Sequence, residues 1–230
     1  MTKVLNLTVV ALLALVVAVP GRAQNLFSLD EVLSNMAASG GEFETLKANV
    51  ARDEVNGLIN RHYENSGEVY IGASGDDMML RVDILDPEAS RQQLLVVGGM
   101  VQNYNPRTNQ VQEGSLGDRS DIVALMAVGF GPANVDLAAN FEIELVGEED
   151  LNGVPTSLIE LIPREEEFLR FAERIRLWVG QEDWIPIQQR LQPPGVNYVI
   201  VTYSAFELNA GLPDSTWVLD LPDDVEVVKF

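Results

Sequence analysis

The chain has 230 residues, with 15 basic and 35 acidic side chains, one His, no Cys and a net charge of -20. Charge of that size and sign excludes nucleic acid and anionic membrane surfaces as principal partners, because both repel it. Without Cys there are no disulfides, thiolate-held zinc, iron–sulfur clusters, Cys nucleophile or lipid-modified N-terminal Cys. The lone His62 rules out a multi-His cage from a single chain, so no metal and no cofactor is expected.

Met1-Thr2-Lys3 is a short positive segment, and Val4 to Val19 is apolar except for Asn6 and Thr8. Pro20-Gly21 ends the run, and small residues at Gly21 and Ala23 suit a cut before Gln24. The apolar run is too short to span a bilayer as a helix. The pattern predicts a secretory signal peptide over residues 1–23 and one exported domain over 24–230. Losing Lys3 and Arg22 takes the net charge to about -22. An exported chain without disulfides is stabilised by its core alone, and about 200 residues suffice for that.

The exported part begins with a helix. Ser28-Leu29-Asp30-Glu31 has capping-box form, Leu29, Val32, Leu33, Met36 and Ala37 follow at helical spacing, and Gly40-Gly41 stops them. The period then changes to two. Leu46, Ala48 and Val50 alternate with polar residues, as do Val69 and Ile71, then Leu80, Val82 and Ile84. Leu95 and Val97 lead through Gly98-Gly99 into Met100, Gln102 and Tyr104, and Asn105 to Asn109 turn the chain into a short strand at Gln110 to Glu113. This spacing is that of an antiparallel meander.

Ser120 caps a predicted helix over Asp121 to Val128, Gly129-Phe130-Gly131-Pro132 breaks it, and Ala133 to Ala139 predicts another short helix. Strands resume at Phe141 to Val146 and Thr156 to Ile162, around the hairpin signature Asn152-Gly153. Glu165 to Phe171 is a link. Further strands are predicted at Ile175 to Val179, Trp184 to Leu191, Val196 to Phe206 and Thr216 to Leu219, with Val225, Val227 and Val228 at the tail. The class is α+β, mainly antiparallel β: one strongly curved sheet or open barrel of about eleven strands. Its concave face is the largest partner available to the apolar helix faces.

Catalytic patterns are sparse. The acidic groups Asp76-Asp77, Glu148-Glu149-Asp150, Glu165-Glu166-Glu167 and Asp223-Asp224 fall mostly in predicted turns, where charge is solvated. Asp118 and Asp121 could contact a calcium ion, but no EF-hand loop pattern surrounds them. No nucleophile elbow accompanies His62, which reads as a surface or cross-strand residue, and phosphate-binding glycine motifs are absent. The expectation is a binding protein and not an enzyme.

Several segments, taken in order, resemble the periplasmic outer-membrane lipoprotein carriers (LolA-like proteins). They are Gly67 to Ile71, the strand from Met78 to Asp86-Pro87, and Leu95 to Tyr104-Asn105-Pro106, then Leu177-Trp178-Val179, Pro186-Ile187-Gln188, Asn209 and Leu221 to Val227. The resemblance covers most of the exported chain. It implies an unclosed barrel of about eleven strands under a helical lid, in the periplasm. It also implies a monomeric carrier or chaperone that shields lipoprotein acyl chains between inner and outer membranes. The implied partners are acylated lipoproteins, an inner-membrane release complex and an outer-membrane receptor.

On that footing the expected lipid-binding wall is Leu80, Val82 and Ile84 with Leu95 and Val97 from the next strand. The expected lid carries Leu33 and Met36 from the first helix and Leu125 and Met126 from the insertion. One departure stands out. The family's loop Arg is replaced here by Gly72 to Asp77, and nearby Arg81 does not match the motif. That leaves a lipoprotein- or lipid-sensing domain of the cell envelope as the alternative function.

Overall fold

The structure, a computed structural model, describes residues 26–74, 77–115, 127–131 and 137–229. The predicted signal peptide, the calcium candidates Asp118 and Asp121, and the lid candidates Leu125 and Met126 lie outside the described residues.

Helix α1 spans Leu29–Gly41 and starts as its sequence dictates. The Ser28 side chain accepts from the Glu31 backbone N–H, while the Glu31 carboxylate accepts from the Ser28 N–H at 2.7 Å. Those bonds hold the Glu31 carboxyl below its ordinary pKa. Val32, Met36 and Gly40, four residues apart, form its buried stripe.

Twelve strands follow among the described residues. They are β1 (Thr45–Asn56), β2 (Arg61–Ser74), β3 (Asp77–Asp86), β4 (Gln92–Val97), β5 (Met100–Asn105), β6 (Gln110–Ser115), β7 (Phe141–Leu151), β8 (Val154–Pro163), β9 (Arg174–Gly180), β10 (Pro186–Gln192), β11 (Tyr198–Leu208) and β12 (Glu226–Lys229). Two short helices, α2 (Leu137–Asn140) and α3 (Glu166–Leu169), link strands. All strands join one sheet in the order β12-β6-β5-β4-β3-β2-β1-β11-β10-β9-β8-β7. Every pairing is antiparallel except β12 with β6, and β7 and β12 do not pair, so the barrel is unclosed.

Because side chains alternate across a strand, residues paired across the ladder share a face. One inner row runs Val96, Leu80, Ile71, Leu46 across β4, β3, β2 and β1. Another runs Val201, Gln189, Leu177, Ile159, Leu145 across β11 to β7. The inner face carries two apolar clusters. α1 covers the first, where Val32 and Met36 pack with Ile159, Leu161, Ile175 and Leu177. The second gathers Leu46, Val69, Ile71, Leu80 and Tyr203 around Phe130.

On the outer face, Leu95, Tyr104 and Val111 pack against Leu219, with Trp217, Leu221 and Val225 beside them. The C-terminal segment therefore straps the outside of the sheet. The strand expected at Thr216 to Leu219 is instead a 3-10 turn at Asp214–Trp217 followed by extended chain that does not pair in the sheet. Arg81 secures the strap, donating to the Thr216 and Val218 carbonyls at 2.9 and 3.3 Å while paired with Asp83.

Candidate binding cavity

The part of the inner face that α1 leaves uncovered forms a cavity of about 420 Å³. Leu80, Val82 and Ile84 of β3 line it, joined by Val69 and Ile71 of β2 and Leu94 of β4. Val199, Val201 and Tyr203 of β11, with Leu191 of β10, form the opposite wall, and Phe171 and Pro193 complete it from loops.

Leu95 and Val97 are not in this wall, and their placement there is corrected. On β4 the partners of Leu80 and Val82 are Val96 and Leu94, so Leu95 lies opposite Arg81 on the outer face. Both Leu95 and Val97 serve the outer cluster under the C-terminal strap. Both faces of β4 carry apolar residues, so hydrophobicity alone does not reveal its register.

Leu33 and Met36 are also displaced from their expected position. Met36 is fully buried against β8 and β9, and Leu33 is half-buried beside that cluster. Neither lines the cavity. The helix is anchored at that end of the sheet by a T-shaped contact between Phe27 and Trp184 (5.0 Å) and by Glu148, which accepts from the Leu26 and Phe27 N–H groups.

The cavity floor is held by a buried polar link that sequence reasoning missed. Gln189, 2% exposed, donates from Nε2 to the Val128 carbonyl at 2.6 Å and accepts from the Tyr203 hydroxyl at 3.1 Å. Burial pushes the Tyr203 phenol well above its ordinary pKa. The link ties the end of the insertion, Ala127 to Gly131, to β10 and β11. Phe130 then packs edge-on against Tyr203 at 5.1 Å. Gly129 and Gly131, both at positive φ, permit the close approach: side chains there would meet Pro186 Cγ at 2.3 Å and Phe43 Cδ1 at 2.9 Å.

His62 lies on β2 and pairs diagonally with Asp53 of β1, Nδ1 to Oδ2 2.7 Å, on the exposed part of the hairpin. The Glu148-Glu149-Asp150 run is engaged by the fold. Glu149 accepts from Trp178 Nε1 at 2.7 Å, and Asp150 caps the Asn152-Gly153 turn through the Gly153 N–H. Among the described residues no group of three or more His, Asp or Glu side chains is gathered as a metal site. No described helix is long and apolar enough to cross a membrane.

No family model and no curated protein sequence matches the chain. Solved structures do. An uncharacterized conserved protein from Thermus thermophilus is 15% identical, with 87% of this chain and 98% of that one aligned at a TM-score of 0.56. A structure of MucB is 19% identical over 86% of this chain and 64% of that one, at 0.50. A LolA superfamily protein from Nitrosomonas europaea is 16% identical over 84% of this chain and 99% of that one, at 0.41. At 15% and 19% identity the first two likenesses are ones of fold alone.

Proposed function

We propose that the chain is an exported carrier that shields acyl chains of lipoproteins in its inner-face cavity during passage through the periplasm. The observation that carries this reading is the 420 Å³ cavity, walled by β3 and β11 aliphatic side chains on the part of the sheet that α1 does not cover. Its size falls in the ~300–1,000 Å³ range of ligand sites. The implied route is from an inner-membrane release complex to an outer-membrane receptor, with residues 1–23 as the export signal.

The energetics suit a shuttle. Burying about ten methylenes gains roughly 8 kcal/mol, equivalent by itself to a dissociation constant of about 1 μM. That holds an acyl chain in transit and still permits release to an apolar acceptor. The acidic surface disfavours lingering at anionic lipid.

The test uses the exported protein purified gently from its native envelope, with bound molecules identified by mass spectrometry. Acylated lipoproteins are expected. A half-buried cavity residue supplies the control, since Val82→Glu places a carboxylate among aliphatic side chains. That variant is expected to be secreted and folded but empty, and unchanged cargo in it refutes the assignment. A stable complex with a membrane regulator, without transfer of cargo between membranes, identifies the sensing alternative.

A further inference from the structure

The inner rows of β1 and β2 change chemistry part-way along. On β1, Leu46, Ala48 and Val50 are followed on the same face by Arg52 and Glu54. On β2, the residues facing these last two are Asn65 and Tyr63. The inner row of β4 likewise passes from Val96 and Leu94 to Gln92, the partner of Ile84. The β11 side stays apolar, with Val201 opposite Arg52 and Val199 opposite Glu54. Along β11 the interior is thus apolar at both levels, while the rows of β1, β2 and β4 turn polar at a definite level.

The apolar cavity consequently adjoins a second hollow of about 530 Å³, and Arg52, Ile84 and Gln92 belong to both walls. Glu54, Asn56, Tyr63, Asn65 and Ser90 complete this vestibule. Among the described residues, Arg52 and Glu54 are the only charged side chains in the two linings, and they bond to each other at 2.9 Å. The vestibule therefore has hydrogen-bonding groups but no net charge. Asn65 Oδ1 lacks a hydrogen-bond partner but is buried, so the polar groups this wall leaves open to a head group are those of Arg52 and Glu54.

We infer that the vestibule is a head-group subsite, selective for amphiphiles whose polar head hydrogen-bonds but carries no net charge. This rests on the proposed function, in that the acyl chain occupies the adjoining cavity. An anionic head would sit beside Glu54 inside a protein of net charge -20. A cationic head would meet Arg52. A hydroxyl- or amide-bearing head can donate to Glu54 and accept from Arg52 without unbalancing the pair.

The test compares three amphiphiles with the same lauroyl-length chain, monolauroylglycerol, laurate and dodecyltrimethylammonium, binding to the exported protein by calorimetry below their micellar concentrations. Monolauroylglycerol is expected to bind at least about ten-fold more tightly than either ion, since like charges a few ångströms apart readily supply such a factor. Glu54→Gln leaves Arg52 uncompensated and is expected to raise laurate affinity about ten-fold while weakening the ammonium. Arg52→Gln is expected to do the reverse. Equal affinities for all three probes, or an ion preferred by the unaltered protein, overturn the inference. Val82→Glu separates the two levels: if it leaves monolauroylglycerol binding intact, the cavity reading itself fails. If it abolishes binding while the unaltered protein shows no head preference, only the subsite fails.

Discussion

Replacing Gln189 by Leu tests whether the buried polar link holds the insertion onto the barrel. The substitution removes one donor and one acceptor and leaves two groups stranded, the Val128 carbonyl and the Tyr203 hydroxyl. Each orphaned group costs about 1–3 kcal/mol, and Leu offsets part of that by adding apolar contact, so a net loss of roughly 2–4 kcal/mol is expected. For a domain of this size that lowers Tm by about 4–16 °C. The double variant Gln189→Leu/Tyr203→Phe removes the stranded hydroxyl and should be less destabilised than the sum of the two single changes by about 1 kcal/mol or more. Urea unfolding followed by circular dichroism measures both quantities. Hydrogen exchange at the Phe130 amide, which donates to Ala127 O at 2.9 Å, reports whether the segment itself loosens. A Gln189→Leu variant within about 0.5 kcal/mol of the parent, the range of substitutions that touch no such network, or strictly additive single changes, would refute the link.

The register of β4 is tested by a pair of neighbours. Leu94→Glu is expected to yield a folded protein with an empty cavity, as for Val82→Glu. Leu95→Ala is expected to keep cargo but lose about 2–4 kcal/mol and expose residues 213–225 to limited proteolysis, because Leu95 lies under the strap. Gly72→Val addresses the same strap at Trp217, since a side chain there meets Trp217 Cζ2 at 2.7 Å. It should shift tryptophan fluorescence and cost roughly 1–3 kcal/mol. Alkaline titration tests the burial of Tyr203. Its folded pKa is raised, so the stabilisation from keeping the phenol neutral is complete below about pH 10 and is lost as pH climbs through the folded value. Phenolate absorbance of the native protein at pH about 11 should therefore report fewer than its five tyrosines, and Tyr203→Phe should not reduce the number that ionise. A full count in the folded state contradicts the burial.

Much of the architecture is legible because local chemistry and global fold agree. The capping box of α1, the alternation in β1, β3 and β9, and the turn residues at Gly98-Gly99 and Asn152-Gly153 each specify their element within a few residues of sequence. Leu80, Val82 and Ile84 can be read as cavity residues because β3 presents charged side chains, Arg81 and Asp83, on its other face. Leu95 and Val97 are misplaced by the same reasoning because β4 has no such contrast. Its outward residues are as apolar as its inward ones, and what covers them comes from more than a hundred positions further along.

The sequence by itself determined the charge, the order of elements and the alternation that makes an inner and an outer face. Only the tertiary structure decided what covers each face. α1 is amphipathic, and nothing in its stripe says whether it roofs β8 and β9 or the cavity beside them. Likewise Arg52, Glu54 and Asn65 look like ordinary surface residues until the ladder sets them beside one another at the edge of an apolar cavity. The physical reason is range. Capping, turns and side-chain alternation act over a few residues, whereas a cavity and its polar rim are relations between strands that the chain brings together only when the barrel curls.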